Sequence, residues 1–311
     1  MKNTKKFPIL VFCFLSLIFI CIILSDNRLF ANDNDMVQKT IEVNGDQRLF
    51  YVHLPANYDN IKEKLPTVLI FHGTVADANK IKNYTQFNDF ADKKGIVVVY
   101  PEYMGNWDWD LKPAEKSKEV AFTNKIIDTV INTYNVDKTR IYQTGYSSGA
   151  EISYILACTL SEKIAAFAPV AGNLRKSYAD GCSTVKKPVP IMLVHGTSDP
   201  YEKWEGNIEK QMFSVDETLN FWKKRNICKE KTTEISFPHN NSDGNPTTAT
   251  LYQNNSCTNG SEVSIIKIEG GGHTWPGSPS SLRIEKFLGS TNYDISANEQ
   301  IWDFFSNHRL N

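Results

Sequence analysis

Downstream of an apolar opening and an Asn/Asp-rich joint at 32–35, two stretches that alternate polar with apolar residues, KTIEV and RLFYVHL, flank Asn44-Gly45-Asp46. Alternation puts every second side chain on one buried face, and Asn-Gly readily takes the left-handed backbone of a tight turn, so the pattern predicts a β-hairpin. The rhythm then changes. Short unbroken apolar runs follow at 68–71 (VLIF), 97–100 (VVVY), 141–145 (IYQTG), 167–172 (FAPVAG), 191–196 (IMLVHG) and 264–270 (SIIKIEG). Runs of that length without a polar face suit strands covered on both sides. Between them Phe122, Ile126, Val130 and Tyr134 recur every four residues, with Ile127 and Ile131 alongside. That is the stripe of a helix ending at Asn135. Further helices are predicted over Glu151–Thr159, Asp216–Arg225 and Asn298–Asn307. Strands alternating with helices imply right-handed crossovers and therefore an α/β fold, a mostly parallel sheet with helices on both faces. No internal repeat or Pro/Ser/Thr-rich linker interrupts 36–311, which read as a single domain.

The opening segment is of another kind. MKNTKK supplies three lysines, and Phe7–Leu24 is apolar apart from Ser16, the layout of an export signal. Residues 1–31 are expected to serve as a signal peptide cut after Ala31 or, uncleaved, as an N-terminal membrane anchor, since the run is long enough to cross a bilayer. Lysines on its amino side direct the downstream chain out of the cytoplasm, so a secreted or periplasmic location is expected, with the membrane a partner only through this segment. Four cysteines remain beyond it, Cys158, Cys182, Cys228 and Cys257, an even number suited to an oxidising compartment. Three pairings are open. Joining neighbours in order, Cys158 with Cys182 and Cys228 with Cys257, is favoured because each closes a loop of roughly 25–30 residues, worth about 3–4 kcal/mol in the chain-entropy account. No CxxC or HExxH spacing occurs, so neither a metal nor another cofactor is expected. With 34 basic against 35 acidic residues and no basic cluster beyond residue 6, nucleic acid is excluded as a partner.

Chemistry enters with Gly145-Tyr146-Ser147-Ser148-Gly149, a G-x-S-x-G set between a strand-like run and the helical AEISYILACTL. Strand, sharp turn and helix form a nucleophile elbow, whose glycines are needed because neighbouring backbone comes too close for a Cβ, and Ser147 is lifted to the carboxyl end of the sheet. A serine hydroxyl needs a base within hydrogen-bond reach. Of the six histidines, His53 falls in the early hairpin, His308 in the last helix and His239 in a polar loop. His72 and His195 each end a buried strand before a glycine, where a hydrogen-bonded structural histidine is expected. His273, in EGGGHTWPG, alone follows the final apolar strand on a glycine loop. Asp199, in HGTSDP after another strand, is the candidate to fix the imidazole tautomer, and the order Ser147, Asp199, His273 is the order this elbow is found with. An attacked carbonyl gathers charge on oxygen, for which the backbone N–H groups of Ser148 and Thr74, the latter after VLIF, are the candidate oxyanion hole.

These segments resemble a known family. FHGTVADANKI, ADKKGIVVVYPE, NVDKTRIYQTGYSSGAEISYILAC, FAPVAG, HGTSDP and IEGGGHTWPG are similar, in order from about residue 40 to 280, to the esterases that include poly(3-hydroxybutyrate) depolymerases and the feruloyl and acetylxylan esterases of carbohydrate esterase family one. The resemblance implies the α/β-hydrolase fold, with Ser147, Asp199 and His273 as nucleophile, acid and base, Trp275 near the substrate, and a disulfide between Cys228 and Cys257. One departure is PYEKWEGN after Asp199, where many relatives carry a smaller turn. Loop tryptophans can stack on sugar or phenolic rings, so Trp107 and Trp204, with Trp275 and Tyr146, complete the candidate substrate contacts. The expected function is an exported serine esterase acting on a small-molecule or polysaccharide-linked ester, either hydroxyalkanoate oligomers or feruloyl and acetyl esters of polysaccharide. No separate binding domain or linker is seen, which favours soluble oligomers or plant-wall esters over insoluble polyester. The competing readings are a non-catalytic carbohydrate-binding homologue and an acyltransferase using the same three residues.

Overall fold

Asn44 and Gly45 both take positive φ, 53° and 89°, and the hairpin forms as the alternation predicts, β1 (Val37–Val43) pairing antiparallel with β2 (Asp46–His53). The computed structural model describes residues 35–74, 76–103, 117–182, 187–240, 244–279 and 285–311. Residues 1–31, expected to be an export signal or anchor, lie outside these residues, as do Trp107 and Trp109. The remaining strands are β3 (Leu65–Phe71), β4 (Val97–Pro101), β5 (Val136–Tyr146), β6 (Ala166–Val170), β7 (Ile191–Gly196), β8 (Thr233–Ser236), β9 (Thr248–Asn254) and β10 (Val263–Glu269). The helices are α1 (Ala78–Thr85), α2 (Phe87–Lys94), α3 (Lys118–Thr133), α4 (Ser148–Thr159), α5 (Lys176–Gly181), α6 (Val215–Arg225), α7 (Glu285–Leu288) and α8 (Ala297–Ser306).

Among the described residues the strands form one sheet in the order β1-β2-β4-β3-β5-β6-β7-β10-β9-β8. The central run from β4 to β10 is parallel throughout, and antiparallel strands extend it at both edges. Every residue of β3, β4 and β7 is buried, as unbroken apolar runs require. Alternate residues feed two cores. Leu69, Phe71, Val97 and Val99 pack with Ile126 of α3, Ile155 of α4 and Trp222 of α6, while Val68, Ile70, Val98 and Tyr100 pack with Ile81 of α1, Phe87 of α2 and Ile301 of α8.

The predicted helices start earlier than their stripes. α3 begins at Lys118, where the Ser117 hydroxyl accepts the Glu119 N–H, and ends with Tyr134 as its cap. α6 carries a capping box, Ser214 and Glu217 exchanging bonds with each other's backbone, and its last turn holds Lys223, Lys224 and Arg225, charges that suit the negative end of a helix. α4 is buried at every position from Ser148 to Cys158. Its outer end is tied by the disulfide Cys158–Cys182, and Cys228–Cys257 closes the second loop.

Candidate active site

In a parallel sheet the carboxyl ends of neighbouring strands open on one side. Here β3, β5, β6, β7 and β10 are neighbours, so the segments after them, carrying His72-Gly73-Thr74, Ser147, Gly172, Asp199 and His273, share one rim. Ser147 occupies the sharpest of these turns. Its φ is +57° and ψ −121°, a conformation that costs a non-glycine residue roughly 1–3 kcal/mol. The turn is held by Ser147 N–H donating to the Val170 carbonyl at 3.0 Å. A Cβ on Gly145 would collide with the Gly149 backbone, and one on Gly149 with the Phe71 and His72 carbonyls. The two glycines let α4 start against β3 directly behind the serine.

Asp199 lies on a turn whose geometry its own side chain sets. Oδ1 accepts the N–H groups of Tyr201 and Glu202 at 2.8 and 2.9 Å, and Oδ2 faces His273 Nδ1 at 2.7 Å with the carboxylate fully buried. His273 Nε2 meets Ser147 Oγ at 2.9 Å. A carboxylate can only accept, so Nδ1 carries the proton and Nε2 is left as the acceptor for the serine hydroxyl. The three groups thus form a row able to draw a proton off Ser147.

The loop that delivers His273 is pinned at several points. His273 N–H donates to the Leu288 carbonyl, Tyr146 Oη–H donates to the His273 carbonyl at 2.6 Å, and the Tyr84 hydroxyl accepts Trp275 N–H at 3.0 Å. Burial pushes the Tyr146 phenol well above its ordinary value, so it serves as a donor. Trp275 itself is a correction. Its ring is 1% exposed, within the core shared by β3, β4 and α8, and Nε1–H donates to Asn298 Oδ1 of α8 at 2.9 Å. It anchors the loop and cannot offer a face to substrate. Trp204 is turned elsewhere too, lining a cleft of about 430 Å³ with Asp216, Leu219, Tyr252 and Lys267. That cleft contains none of Ser147, Asp199 or His273. Trp107 falls outside the described residues.

Other expectations divide similarly. His72 and His195 are buried and bonded to carbonyls, His72 Nδ1 to Gly73 and His195 Nε2 to Glu202; burial lowers the pKa of both. His53 and His239 pair with Asp92 and Asp294, and His308 sits two residues past the end of α8 rather than within it. Gly73 brings the β3 loop so near the elbow that a Cβ there would lie 3.2 Å from Ser147 Cβ. The Thr74 backbone therefore follows at close range, and Thr74 is exposed, while Ser148 opens α4. Among the described residues no group of three or more His, Cys, Asp or Glu is arranged to hold a metal ion.

Sequence reasoning did not find two features. One is a charge cluster around the buried Glu151, in which the partly buried Arg175 donates Nε–H to Glu151 Oε2 and Nη2–H to Oε1 at 3.3 Å, with the Glu202 carboxylate acting on Glu151 as well. Burial and then Glu202 push Glu151 up to about 8, Arg175 only partly opposing them. The other is Tyr201, whose ring centroid is 5.3 Å from that of His273 while 51% of the residue is exposed. Its signal was its place beside Asp199-Pro200, in the segment that departs from the family pattern.

Residues 50–205 match the family described as esterase PHB depolymerase. The chain is 31% identical over 266 residues to a bifunctional acetylxylan esterase/xylanase of Neocallimastix patriciarum, an alignment covering 84% of this chain and 33% of that protein. It is 29% identical over 240 residues to feruloyl esterase B of Piromyces equi, covering 73% of this chain and 42% of that one. It therefore spans about a third of the first relative and less than half of the second. Among solved structures, an acetyl xylan esterase from Aspergillus awamori superposes with a TM-score of 0.58 at 17% identity, over 87% of this chain and 99% of the other. This is a likeness of fold, the α/β-hydrolase arrangement.

Proposed function

Because the chain belongs to the PHB depolymerase esterase family, we propose that it is an exported serine esterase that cleaves carboxylic esters through an acyl-enzyme on Ser147. The observation that carries this reading is the row itself, Ser147 Oγ to His273 Nε2 at 2.9 Å and His273 Nδ1 to Asp199 Oδ2 at 2.7 Å. Nε2 takes the hydroxyl proton as Oγ attacks the ester carbonyl, and the buried Asp199 carboxylate stabilises the imidazolium that results. The N–H groups of Ser148 and Thr74 meet the charge gathering on the carbonyl oxygen. The alcohol departs with the proton held on Nε2, and water, deprotonated by the same nitrogen, then releases the acid. Intact groups at all three positions weigh against a non-catalytic homologue.

Of the expected substrates, acetyl and feruloyl esters of polysaccharide fit the named activities of the relatives, which are acetylxylan and feruloyl esterases. Export is supported by the two disulfides, which suit an oxidising compartment, and by the lysine-led apolar segment at 1–31, read as signal or anchor, ahead of a single domain over 36–311. No helix among the described residues is long and apolar enough to cross a membrane. Assaying the purified protein on acetylated xylan, feruloylated xylan, hydroxybutyrate oligomers and nitrophenyl acyl esters tests the reading. Turnover of at least one ester that vanishes in Ser147→Ala is the expected result; turnover undiminished by that substitution would remove it.

A further inference from the structure

Two tyrosine rings flank the His273 imidazole, Tyr146 with its centroid at 5.0 Å and Tyr201 at 5.3 Å. They differ in what they leave open. Tyr146 packs on Tyr84 at 5.2 Å and spends its hydroxyl on the His273 carbonyl. Tyr201 is 51% exposed, one of few large apolar or aromatic side chains left so open among the described residues. It is also held in place, since Pro200 precedes it and its N–H is bound to Asp199 Oδ1 at 2.8 Å. A half-exposed ring on a fixed backbone loses little freedom when something stacks on it.

Position decides which half of an ester it meets. In acyl transfer Nε2 must reach two oxygens in turn, Ser147 Oγ and then the oxygen of the departing alcohol. An exposed ring with its centroid 5.3 Å from that of the imidazole is within reach of a group built on the alcohol that Nε2 protonates. The strand order supports this. The β3 loop with Gly73 and Thr74, which would hold the carbonyl oxygen, lies one strand to one side of β5, and the β7 loop with Tyr201 lies two strands to the other. Of the tryptophans that sequence offered for this role, Trp275 is buried and Trp204 faces another cleft, while Trp107 lies outside the described residues.

Resting on the esterase reading, we propose that Tyr201 is the platform for a sugar in the alcohol half of the substrate, so that the enzyme selects esters of carbohydrate hydroxyls. Sugar C–H faces pack on an aromatic ring, and the Tyr201 hydroxyl can bond a neighbouring sugar hydroxyl. Two esters with the same acyl group make the same acyl-enzyme. Any difference in kcat/KM between them then arises before the alcohol leaves.

The test measures kcat/KM for two matched pairs, acetylated xylotriose against ethyl acetate and a feruloylated xylo-oligosaccharide against methyl ferulate, with wild type, Tyr201→Ala and Tyr201→Phe. In the pair that is turned over, Tyr201→Ala should lose roughly tenfold on the sugar ester, the scale of one aromatic contact, and change within about twofold on the small ester. Tyr201→Phe, which keeps the ring, should recover most of the sugar-ester rate and shows that loss in the alanine variant is not misfolding. Equal loss on both members would make Tyr201 a positioning residue for His273 or an acyl contact and overturn the proposal, as would no loss on either. A wild type that cleaves the small ester but not its sugar partner overturns it too, leaving the serine-esterase reading intact. If no ester of either pair is cleaved and none in the wider panel, that reading falls and this one with it.

Discussion

At Asp199 the two carboxylate oxygens have separate roles. Oδ1 takes two backbone N–H groups and fixes the turn, while Oδ2 alone faces His273. Asp199→Asn therefore separates them. The amide oxygen can keep the turn, which leaves the NH2 group pointing at Nδ1. An N–H donor there forces Nδ1 to accept, moves the ring proton to Nε2, and removes the acceptor that Ser147 needs. We expect kcat to fall by about 10³–10⁴ with circular dichroism unchanged; a loss under about tenfold would show that Asp199 does not orient the imidazole. That these three side chains come together was legible in sequence because serine, aspartate and histidine each follow a strand with a distinctive turn. The secondary partners were not. Tyr201 and Arg175 belong to no motif, and their meaning comes from which strands lie side by side.

At the scale of elements, long apolar runs, four-residue stripes and the alternating hairpin at one edge of the sheet were readable, while the short helices and the strands at the other edge were not. α1 and α2 have eight residues each and meet at Gln86, whose φ of +51° breaks the helix, so neither completes enough turns to set a period. β9 (TATLYQN) lies toward the sheet edge with four of its seven residues only partly buried, and β8 is exposed throughout, so neither needed an apolar run. Trp275 was misread for a related reason: Pro-Gly after it marks a loop, and a loop says nothing of whether a ring points to solvent or to α8. Its bond to Asn298 joins the His273 loop to α8, and Asn298 Nδ2 in turn donates to the Thr85 carbonyl at the end of α1. Trp275→Phe keeps most of the buried ring but strands the Asn298 oxygen, a loss of about 1–3 kcal/mol. Urea unfolding should show that decrease, and kcat should drop with it because His273 lies two residues away. A variant as stable and active as wild type would mean that the loop is held without this bond.

For the molecule as a whole, the consequential group is one the mechanism does not use. Glu151 on α4 is buried, and Arg175 after β6 and Glu202 after β7, both partly buried, set one guanidinium and a second carboxyl beside it. One cation can neutralise one carboxylate, so the cluster keeps a proton where free carboxyls would have lost theirs; this titration belongs to the group rather than to one residue. In the unfolded chain Glu151 ionises near its ordinary value of about 4.3, and in the fold burial and Glu202 push it up to about 8. Between those values the folded protein binds more protons than the unfolded one, so stability must fall as pH rises and level off above about 8. One group contributes a slope of at most ~1.4 kcal/mol per pH unit. Calorimetric melting from pH 5 to 9 should show Tm declining through this window in wild type and a flatter profile in Glu151→Gln, which cannot ionise and whose single amide oxygen can still accept the Arg175 Nε–H bond. Parallel profiles would mean that Glu151 is ionised in both states, with Arg175 alone sufficient to hold its charge. The cluster ties α4, which has Ser147 as its cap, to two of the loops of the rim, those after β6 and β7. Loss of its proton in alkali should therefore loosen the site before the sheet, and activity should fall at a lower temperature than the cooperative melt.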